Sequence, residues 1–261
     1  MSKVKVFIDW DYFLQPLEHH NWINSSPDDA NLIVSVNRIN KFNQQAKKAL
    51  WLLEPRAIEP DIYNAVEHRK VPYDAVISHC DKLNIKNHLI QIHPCVPAWI
   101  EKDDQRIYEK TKNISMIASS KVMCSGHQYR QDIANELSSS VDLYGHGRPN
   151  SLNAKIDGLR DYRFSVAMEN SCIDTYFTEK ILDCFLTGTI PIYWGTKKVY
   201  NIFEPAGIIW LKDFMHIKNG FNFEQEYESR KHAVIKNIQI AQNLNFKSPD
   251  GIHQIVEKMF R

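Results

Sequence analysis

Apolar and polar positions alternate along the chain in blocks, and the blocks predict strands and helices in turn. Four apolar runs in the first hundred residues have the length and the apolar character of strands, namely KVKVFID, ALWLLEP, YDAVISHC and LIQIHP. The run LIVSVN fits either a strand or a short buried helix, while residues 40–48 and the run IYNAVEHR have helical compositions. Strands separated by helices predict a parallel α/β sheet.

A second series of blocks follows a segment that is rich in chain breakers. Residues 93–110 contain Pro94 and Pro97 and continue into a charge run, which predicts a linker. Beyond it, strands are predicted over ISMIASS, VDLYGHG and GIIWL, and helices over GHQYRQDIANELSS, residues 223–244 and GIHQIVEKMF, the last capped at Ser248-Pro249. We therefore predict two Rossmann-like α/β domains that face a cleft, residues 1–100 and 101–261, with the terminal helix packing back on the first. A single larger sheet is the alternative.

Residues 162–195 form the clearest unit of the chain: a strand, a polar loop, a helix and a second strand. YRFSVAM predicts a buried strand and TIPIYWG another. Between them, EKILDCFL has apolar residues at helical spacing and is followed by the helix stop Gly188. Ligands of open α/β sheets bind where such loops leave the carboxyl ends of strands, so this loop is the first candidate for a binding site.

Composition and charge argue against some classes of partner. A chain of 261 residues with 43% hydrophobic content can build one large or two modest α/β domains. Its formal net charge of +1 gives no support for a nucleic-acid or anionic-membrane partner, so an anionic ligand requires a local basic cluster. The N-terminal MSKVKVFIDWDYF indicates a strand rather than a signal peptide or a membrane anchor, and no apolar run reaches membrane-spanning length.

The cysteines and histidines bear on location and on metals. Five cysteines without a C-x-x-C pair predict free thiols in a reducing compartment, and hence a cytoplasmic protein. The eleven histidines form no recognisable metal-binding pattern. Asp9 and Asp11 form a lone D-x-D, which is a weak signal because it also occurs by chance. We therefore predict no metal site, and the sequence does not indicate the oligomeric state.

A set of fixed positions in the 162–195 unit carries a family resemblance. The pattern begins with E-N-S, continues with Y-x-T-E-K and ends with a strand of the form (I/V)-P-(I/V)-x-x-G. The matching residues are Glu169, Asn170, Ser171, Tyr176, Thr178, Glu179, Lys180, Pro191 and Gly195. This pattern resembles the signature of family 10 glycosyltransferases, the α1,3/4-fucosyltransferases. The resemblance implies a GT-B fold and inverting transfer of L-fucose from GDP-fucose to a hydroxyl of a glycan acceptor. Because the sequence contains no convincing set of metal ligands, we expect that no cofactor is required, although a divalent cation can stimulate the reaction.

The resemblance assigns donor-binding roles within this window. Lys180 lies in the first turn of the predicted helix, where its charge and the backbone N–H groups can meet phosphate; a solvated surface lysine is the alternative. Glu179 is implied to contact the donor sugar, or it simply stabilises the helix N-terminus. Tyr176 stacks or hydrogen-bonds at the donor, or it packs under the loop. Asn170 binds donor groups or fixes the loop, and Thr178 caps the helix.

An arginine outside the window is also implied to bind the donor. Arg130 is predicted to begin the helix after ISMIASSKVMCSGHQ, near the place where the family has a diphosphate-binding arginine. A guanidinium suits bidentate contact with phosphate, and a surface helix arginine is the alternative. On the preceding loop, Lys121, Ser119 and Ser120 are weaker candidates for phosphate contacts.

The general base is expected in the first domain, and Glu54 is our prediction. Glu54 ends the apolar strand ALWLLEP, so its side chain should emerge at the strand tip. The family places a catalytic glutamate after a comparable strand. The alternative is a loop acid bonded to Arg56, and Glu59, Asp9 and Asp11 are further candidates for the base.

Two other functions stay open at this point. One is a transferase of the same fold that uses another nucleotide sugar. The other is a non-catalytic protein that binds a sugar or a nucleotide. Phosphate contacts serve all three, whereas only an enzyme needs a base such as Glu54.

Overall fold

The computed structural model divides into two compact units. It describes residues 3–9, 21–40, 45–68, 73–80, 83, 85, 88–91, 98–173, 175–244 and 256–260. One unit is Met1–Cys95 together with Phe246–Arg261, and the other is Val96–Asn245. The predicted domain boundary at residue 100 and the predicted cleft stay predictions.

The first unit contains a six-stranded parallel sheet. Its strands are β1 Val4–Asp9, β2 Trp22–Asn24, β3 Leu32–Val36, β4 Lys47–Leu52, β5 Ala75–Ser78 and β6 His88–Gln91. They pair in the order β2-β1-β3-β4-β5-β6, and every pair is parallel. Strands β3 and β5 are buried along their whole length, as expected in a parallel sheet that is covered on both faces.

The short helix of this unit packs on the sheet as its sequence predicts. Helix α1, Pro60–Glu67, begins with a proline, whose fixed φ and missing N–H suit the first helical turn. Tyr63 and Val66 of α1 join the apolar residues Leu50 and Leu52 of β4 in one core.

Two predictions for the first unit need correction or completion. The run LIVSVN is strand β3, whereas the helix predicted over residues 40–48 is wrong where the structure describes it, because Lys47 and Lys48 open β4. Lys47 pairs with Leu32, and the N–H of Lys48 donates to Asp74 Oδ2 at 2.7 Å. These partners are distant in sequence, so local composition could not indicate them. Strand β2 was not predicted either.

The second unit contains a five-stranded parallel sheet, and its described residues also form five α-helices. Its strands are β7 Lys112–Ile117, β8 Asp142–Tyr144, β9 Tyr162–Met168, β10 Ile190–Trp194 and β11 Ile209–Trp210. Its helices are α2 Ser125–Glu136, α3 Glu179–Leu186, α4 Leu211–Ile217, α5 Phe223–Ser229 and α6 Lys231–Leu244. The strand order is β11-β10-β9-β7-β8. The predicted α/β class with two Rossmann-like sheets is confirmed, and the single-sheet alternative is wrong.

The strand order of this sheet locates a binding position. From β7 the chain goes to β8 on one side and then crosses to β9 on the other. The direction of winding therefore reverses between β7 and β9, and the carboxyl ends at such a reversal form a crevice for ligands.

Helices pack on both faces of this sheet. Phe164, Val166 and Met168 of β9 pack on one face with residues of α2 and α4, while Ala167 faces α3 on the other. Because β9 lies between β7 and β10, its carboxyl end is held from both sides.

The helical predictions for the C-terminal part are correct in outline. Helix α3 matches the predicted EKILDCFL. The single long helix predicted over 223–244 is wrong, because α5 and α6 are separated at Arg230. Helix α4 was not predicted. Residues 256–260 are helical and group with the first unit, while the predicted cap at Ser248-Pro249 lies outside the described residues.

Candidate functional site

The loop between β9 and α3 is held by one buried carboxylate. Glu169 is fully buried. Its Oε1 accepts from the N–H of Thr178 at 2.9 Å, and its Oε2 accepts from the Thr178 hydroxyl at 2.7 Å. The Tyr193 hydroxyl adds a donor to Oε1 at 3.3 Å. Glu169 therefore ties the start of the loop to its end, where Thr178 caps α3 as predicted.

Gly195 is required by the same arrangement. A Cβ atom at this position would lie 2.3 Å from the Tyr193 hydroxyl and 2.9 Å from Cγ of Glu169. No side chain fits there without moving both groups. The glycine of the signature thus serves the packing of this loop.

Lys180 lies in the first turn of α3, and its ammonium contacts residues at both ends of the loop. Its Nζ lies 3.0 Å from Thr178 Oγ1, 3.4 Å from Glu169 Oε2 and 3.6 Å from Glu179 Oε1. The side chain is partly exposed and lies at the helix N-terminus. Both features suit the binding of an anion.

Glu179 lies in an ion-pair cluster that the sequence did not reveal. Lys155 Nζ lies 3.2 Å from Glu179 Oε1 and 2.6 Å from Asp183 Oδ2. Burial opposes ionisation of Glu179, but Lys180 and Lys155 outweigh it and lower its pKa to about 2. Burial raises the pKa of Asp183, although Lys155 opposes the shift. Asp183 Oδ1 also accepts from the N–H of Trp99 at 2.8 Å.

Lys155 and Asp183 were missed because their pairing is tertiary. Glu179 and Asp183 are four residues apart, so they share one face of α3. That face also carries the buried Leu182. Two acids beside a buried apolar position are themselves close to the core, where carboxylates need a cationic partner. This spacing is the sequence feature from which a lysine or arginine of another element could have been expected.

A cavity of about 740 Å³ opens beside this cluster. Most of its lining residues come from the ends of β7 and β9, the segment between β8 and β9 and the start of α3, and Trp99 comes from the segment before β7. They include Ser119, Arg148, Lys155, Glu179 and Lys180. The volume is within the usual range for small-molecule sites. The cavity therefore brings together a cation, a carboxylate and an aromatic ring at the crevice that the strand order indicates.

Two glycines shape the rim of this cavity. Gly145 has φ +138° and a Cβ atom there would lie 2.5 Å from the carbonyl oxygen of Ala118. Gly147 has φ +77° and would meet the Ser120 side chain. Glycine is therefore needed at both positions, for the backbone conformation and for close approach to the loop after β7.

Arg130 contacts the loop after β9 from helix α2. Its Nη2 donates to Asn170 Oδ1 at 2.7 Å and to the carbonyl oxygen of Glu169 at 3.1 Å. The prediction that Arg130 begins the helix is wrong, because α2 starts at Ser125 and Arg130 lies in its second turn. Burial lowers its pKa, and its buried Nε has no hydrogen-bond partner within the part of the chain that the structure describes.

The remaining predicted donor residues differ in their burial and in their contacts. Tyr176 is 1% exposed and its hydroxyl lies 3.5 Å from Asn170 Nδ2. This position fits the packing alternative for Tyr176, and its donor role stays a prediction. Ser119 lines the cavity and its carbonyl oxygen accepts from Gln131 Nε2 at 2.9 Å, whereas Lys121 is exposed.

Glu54 lies at the carboxyl end of β4 in the first unit, as predicted. The Oδ1 atom of Asn37, a residue with φ +49°, accepts from the N–H groups of Leu53 at 2.8 Å and Glu54 at 3.2 Å. The Tyr63 hydroxyl donates to the Glu54 carbonyl oxygen at 3.0 Å. The backbone at Glu54 is thus fixed on two sides. Its role as a base stays a prediction.

The alternatives to Glu54 have different surroundings. Burial, followed by the charge of Asp61, raises the pKa of Glu59. Asp9 accepts a hydrogen bond from Asn40 Nδ2 at 2.5 Å and lies 3.6 Å from Arg38 Nη1. Asp11 lies outside the described residues.

The described residues contain neither a metal-binding cluster nor a membrane-spanning helix. Among the described side chains, no group of three or more His, Cys, Asp or Glu is placed to hold a metal ion. No helix in the described part of the chain has the length and apolar character needed to cross a membrane. The expectation that no metal is required stays a prediction.

Solved structures share this fold. A crystal structure of α1,3-fucosyltransferase aligns with 91% of this chain and 80% of its own, at 16% identity and a TM-score of 0.56. The crystal structure of α1,3-fucosyltransferase with GDP-fucose aligns with 95% of this chain and 82% of its own, at 16% identity and a TM-score of 0.51. The predicted GT-B fold class is confirmed by this likeness.

Sequence comparison gives the family. An alpha-(1,3)-fucosyltransferase of Helicobacter pylori is 32% identical over 81 residues, which cover 31% of this chain and 17% of the relative. A mouse 4-galactosyl-N-acetylglucosaminide 3-alpha-L-fucosyltransferase is 31% identical over 108 residues, 40% of this chain and 28% of the relative. The matches thus span less than a third of these relatives. The family described as glycosyltransferase family 10 (fucosyltransferase) C-term matches residues 107–237. This match covers half of the chain and includes the signature residues, which confirms the resemblance. The chain belongs to glycosyltransferase family 10.

Proposed function

We propose that the protein is an inverting glycosyltransferase that moves L-fucose from GDP-fucose to a hydroxyl of a glycan acceptor. The observation that carries the proposal is the cavity beside Glu179 and Lys180, which lies inside the region that matches the family. A relative named as an alpha-(1,3)-fucosyltransferase, and a fold shared with a fucosyltransferase crystallised with GDP-fucose, support the choice of donor.

The leaving diphosphate needs positive charge, and two residues supply it in our proposal. Lys180 offers a partly exposed ammonium at the N-terminus of α3. Arg130 offers a buried Nε–H that makes no hydrogen bond with the described residues. Charge-assisted hydrogen bonds of this kind stabilise the charge that develops as GDP leaves, and on this basis we propose that no metal is required.

The chemical step then follows from these roles. Glu54 takes the proton of the acceptor hydroxyl, and the acceptor oxygen attacks C1 of fucose from the face opposite the phosphate. The bond from C1 to the phosphate oxygen breaks, and its electron pair leaves with GDP. Configuration at C1 is inverted. Glu179, ionised because its pKa is about 2, accepts hydrogen bonds from the fucose hydroxyls.

We also propose that the protein works in a reducing compartment, the cytoplasm. Cys80, Cys124 and Cys184 are free thiols. Burial raises the pKa of Cys184 to about 12, so this thiol stays protonated and unreactive at neutral pH.

A ligand-stabilisation experiment tests the proposal. GDP should raise the melting temperature more than UDP, CMP or ADP at equal concentration, because a ligand that binds only the folded state stabilises it by mass action. Lys180→Met should reduce the GDP shift, and Lys212→Met, an exposed lysine of α4, serves as the matched control. A larger shift with UDP would overturn the choice of nucleotide. GDP binding without release or transfer of fucose from GDP-fucose would instead indicate a non-catalytic binding protein.

A further inference from the structure

The amide of Asn170 is held in one orientation by two donors on α2. Asn170 Oδ1 accepts from Arg130 Nη2 at 2.7 Å and contacts His127 Nε2 at 3.0 Å. A carbonyl oxygen has two lone pairs, so these contacts saturate it. The NH₂ end of the amide must then point away from α2, on the side where the Tyr176 hydroxyl lies 3.5 Å away.

The tautomer of His127 follows from its other nitrogen. The backbone N–H of Met123 donates to His127 Nδ1 at 3.1 Å, so Nδ1 carries a lone pair and not a proton. The ring proton of neutral His127 therefore resides on Nε2 and is donated to Asn170 Oδ1. Burial lowers the pKa of His127, while the hydrogen bond with Asn170 raises it. The positive charges of Arg130, Lys180 and Lys121 lower the pKa further.

The backbone around His127 leaves little freedom. A Cβ atom on the preceding Gly126 would lie 2.0 Å from the Asn170 carbonyl oxygen, so the start of α2 lies directly against the loop. Cys124 Sγ also contacts this oxygen at 3.3 Å. His127 is buried, whereas Asn170 is partly exposed and can reach a ligand.

From this geometry we propose that His127 is a positioning residue that acts through Asn170. It fixes the amide so that Asn170 offers N–H donors, rather than a carbonyl oxygen, to the phosphate or hydroxyl oxygens of the donor. This role rests on the proposed function, because it assumes that Asn170 contacts the nucleotide sugar. Arg130 supplies the second hydrogen bond but also meets the diphosphate, so His127 is the cleaner residue to test.

A double-mutant cycle tests this route of action. His127→Leu should raise the KM for GDP-fucose about five- to tenfold, the effect of one ordinary hydrogen bond, with kcat within about twofold of wild type. His127→Gln, whose amide nitrogen can replace Nε2–H, should stay within about twofold in both. In an Asn170→Ala background, His127→Leu should add less than about twofold, because the residue through which it acts is gone. A full effect in that background, or none in the wild-type background, would overturn the proposal.

A second measurement does not depend on catalysis or on the folding of the leucine variant. In ¹⁵N-histidine NMR spectra of the wild-type protein, the signal that disappears in His127→Gln should show a protonated Nε2 and an unprotonated Nδ1. The opposite tautomer would overturn the proposal even if GDP binds. Absence of GDP binding with the expected tautomer would contradict the proposed function while supporting the orientation of the amide.

Discussion

Removal of Lys155 should destabilise the protein strongly, because its ammonium neutralises two buried carboxylates. Its Nζ lies 2.6 Å from Asp183 Oδ2 and 3.2 Å from Glu179 Oε1. After Lys155→Met, Glu179 keeps Lys180 at 3.6 Å, and among the described residues Asp183 keeps the backbone N–H groups of Trp99 and Ile100 as donors. Removing one partner of a buried ion pair costs about 3–5 kcal/mol, and the partners that remain favour a value of about 3 kcal/mol.

The loss should depend on pH, with a sign that the structure fixes. Burial already raises the pKa of Asp183, and loss of the lysine removes the charge that opposes this shift. When the pKa of a carboxyl is higher in the folded state than in the unfolded state, the protein loses stability as pH rises through the folded-state pKa. The deficit of Lys155→Met should therefore be larger at pH 8 than at pH 5.

Urea unfolding followed by circular dichroism at both pH values measures this deficit. Lys231→Met is the matched control, because Lys231 and Glu228 form a surface pair with side chains 55% and 57% exposed, and such pairs contribute about 0–1 kcal/mol. Adding Asp183→Asn to Lys155→Met should restore much of the stability, since the isolated buried charge is removed. A loss no larger than that of Lys231→Met, or one equal at both pH values, would refute the reasoning.

Three further predictions concern catalysis and charge. Glu54→Gln should lower turnover about a hundred- to ten-thousand-fold, the usual cost of a lost general base, while GDP affinity by calorimetry stays near wild type; full activity would remove Glu54 from the mechanism. Transfer should survive EDTA, whereas complete loss that manganese restores would favour a metal at Asp9 and Asp11. Burial lowers the pKa of Lys110 from 10.5 to about 7. Between these two pH values the unfolded state binds more protons than the folded state, so the free energy of unfolding in urea should rise with pH relative to Lys110→Met. Parallel pH profiles of these two proteins would contradict the Lys110 prediction.

Helix α3 shows what the sequence could predict. Thr178 caps its N-terminus, and Gly188, at φ +71°, follows its C-terminus. An apolar stripe between these signals has helical spacing. Each of these signals acts within a few residues, so the helix, its bounds and the location of Glu179 and Lys180 could be inferred without the fold.

Features that depend on distant partners could not be inferred in this way. The break between α5 and α6 occurs at Arg230, whose Nη1 donates to the carbonyl oxygen of Ala206 at 2.8 Å. Asp74 bonds to both backbone groups of Lys48: its Oδ2 accepts from the Lys48 N–H, and its own N–H donates to the Lys48 carbonyl oxygen at 2.8 Å. Lys155 pairs with Asp183 only in the folded chain, where β9 and α3 are packed together. In each case the deciding contact joins residues more than twenty positions apart.

The signature residues divide into those that hold the loop and those that line the cavity. Glu169 and Thr178 are buried, and they bond to each other and to Lys180. Gly195 lies directly against Tyr193 and Glu169. Only Glu179 and Lys180 of the signature line the cavity. A match to the signature therefore indicates the architecture of the loop as much as its chemistry. Lining residues outside the signature, such as Ser119, Arg148 and Lys155, therefore also bear on the choice of nucleotide sugar, and this is why binding of GDP against UDP is the decisive comparison.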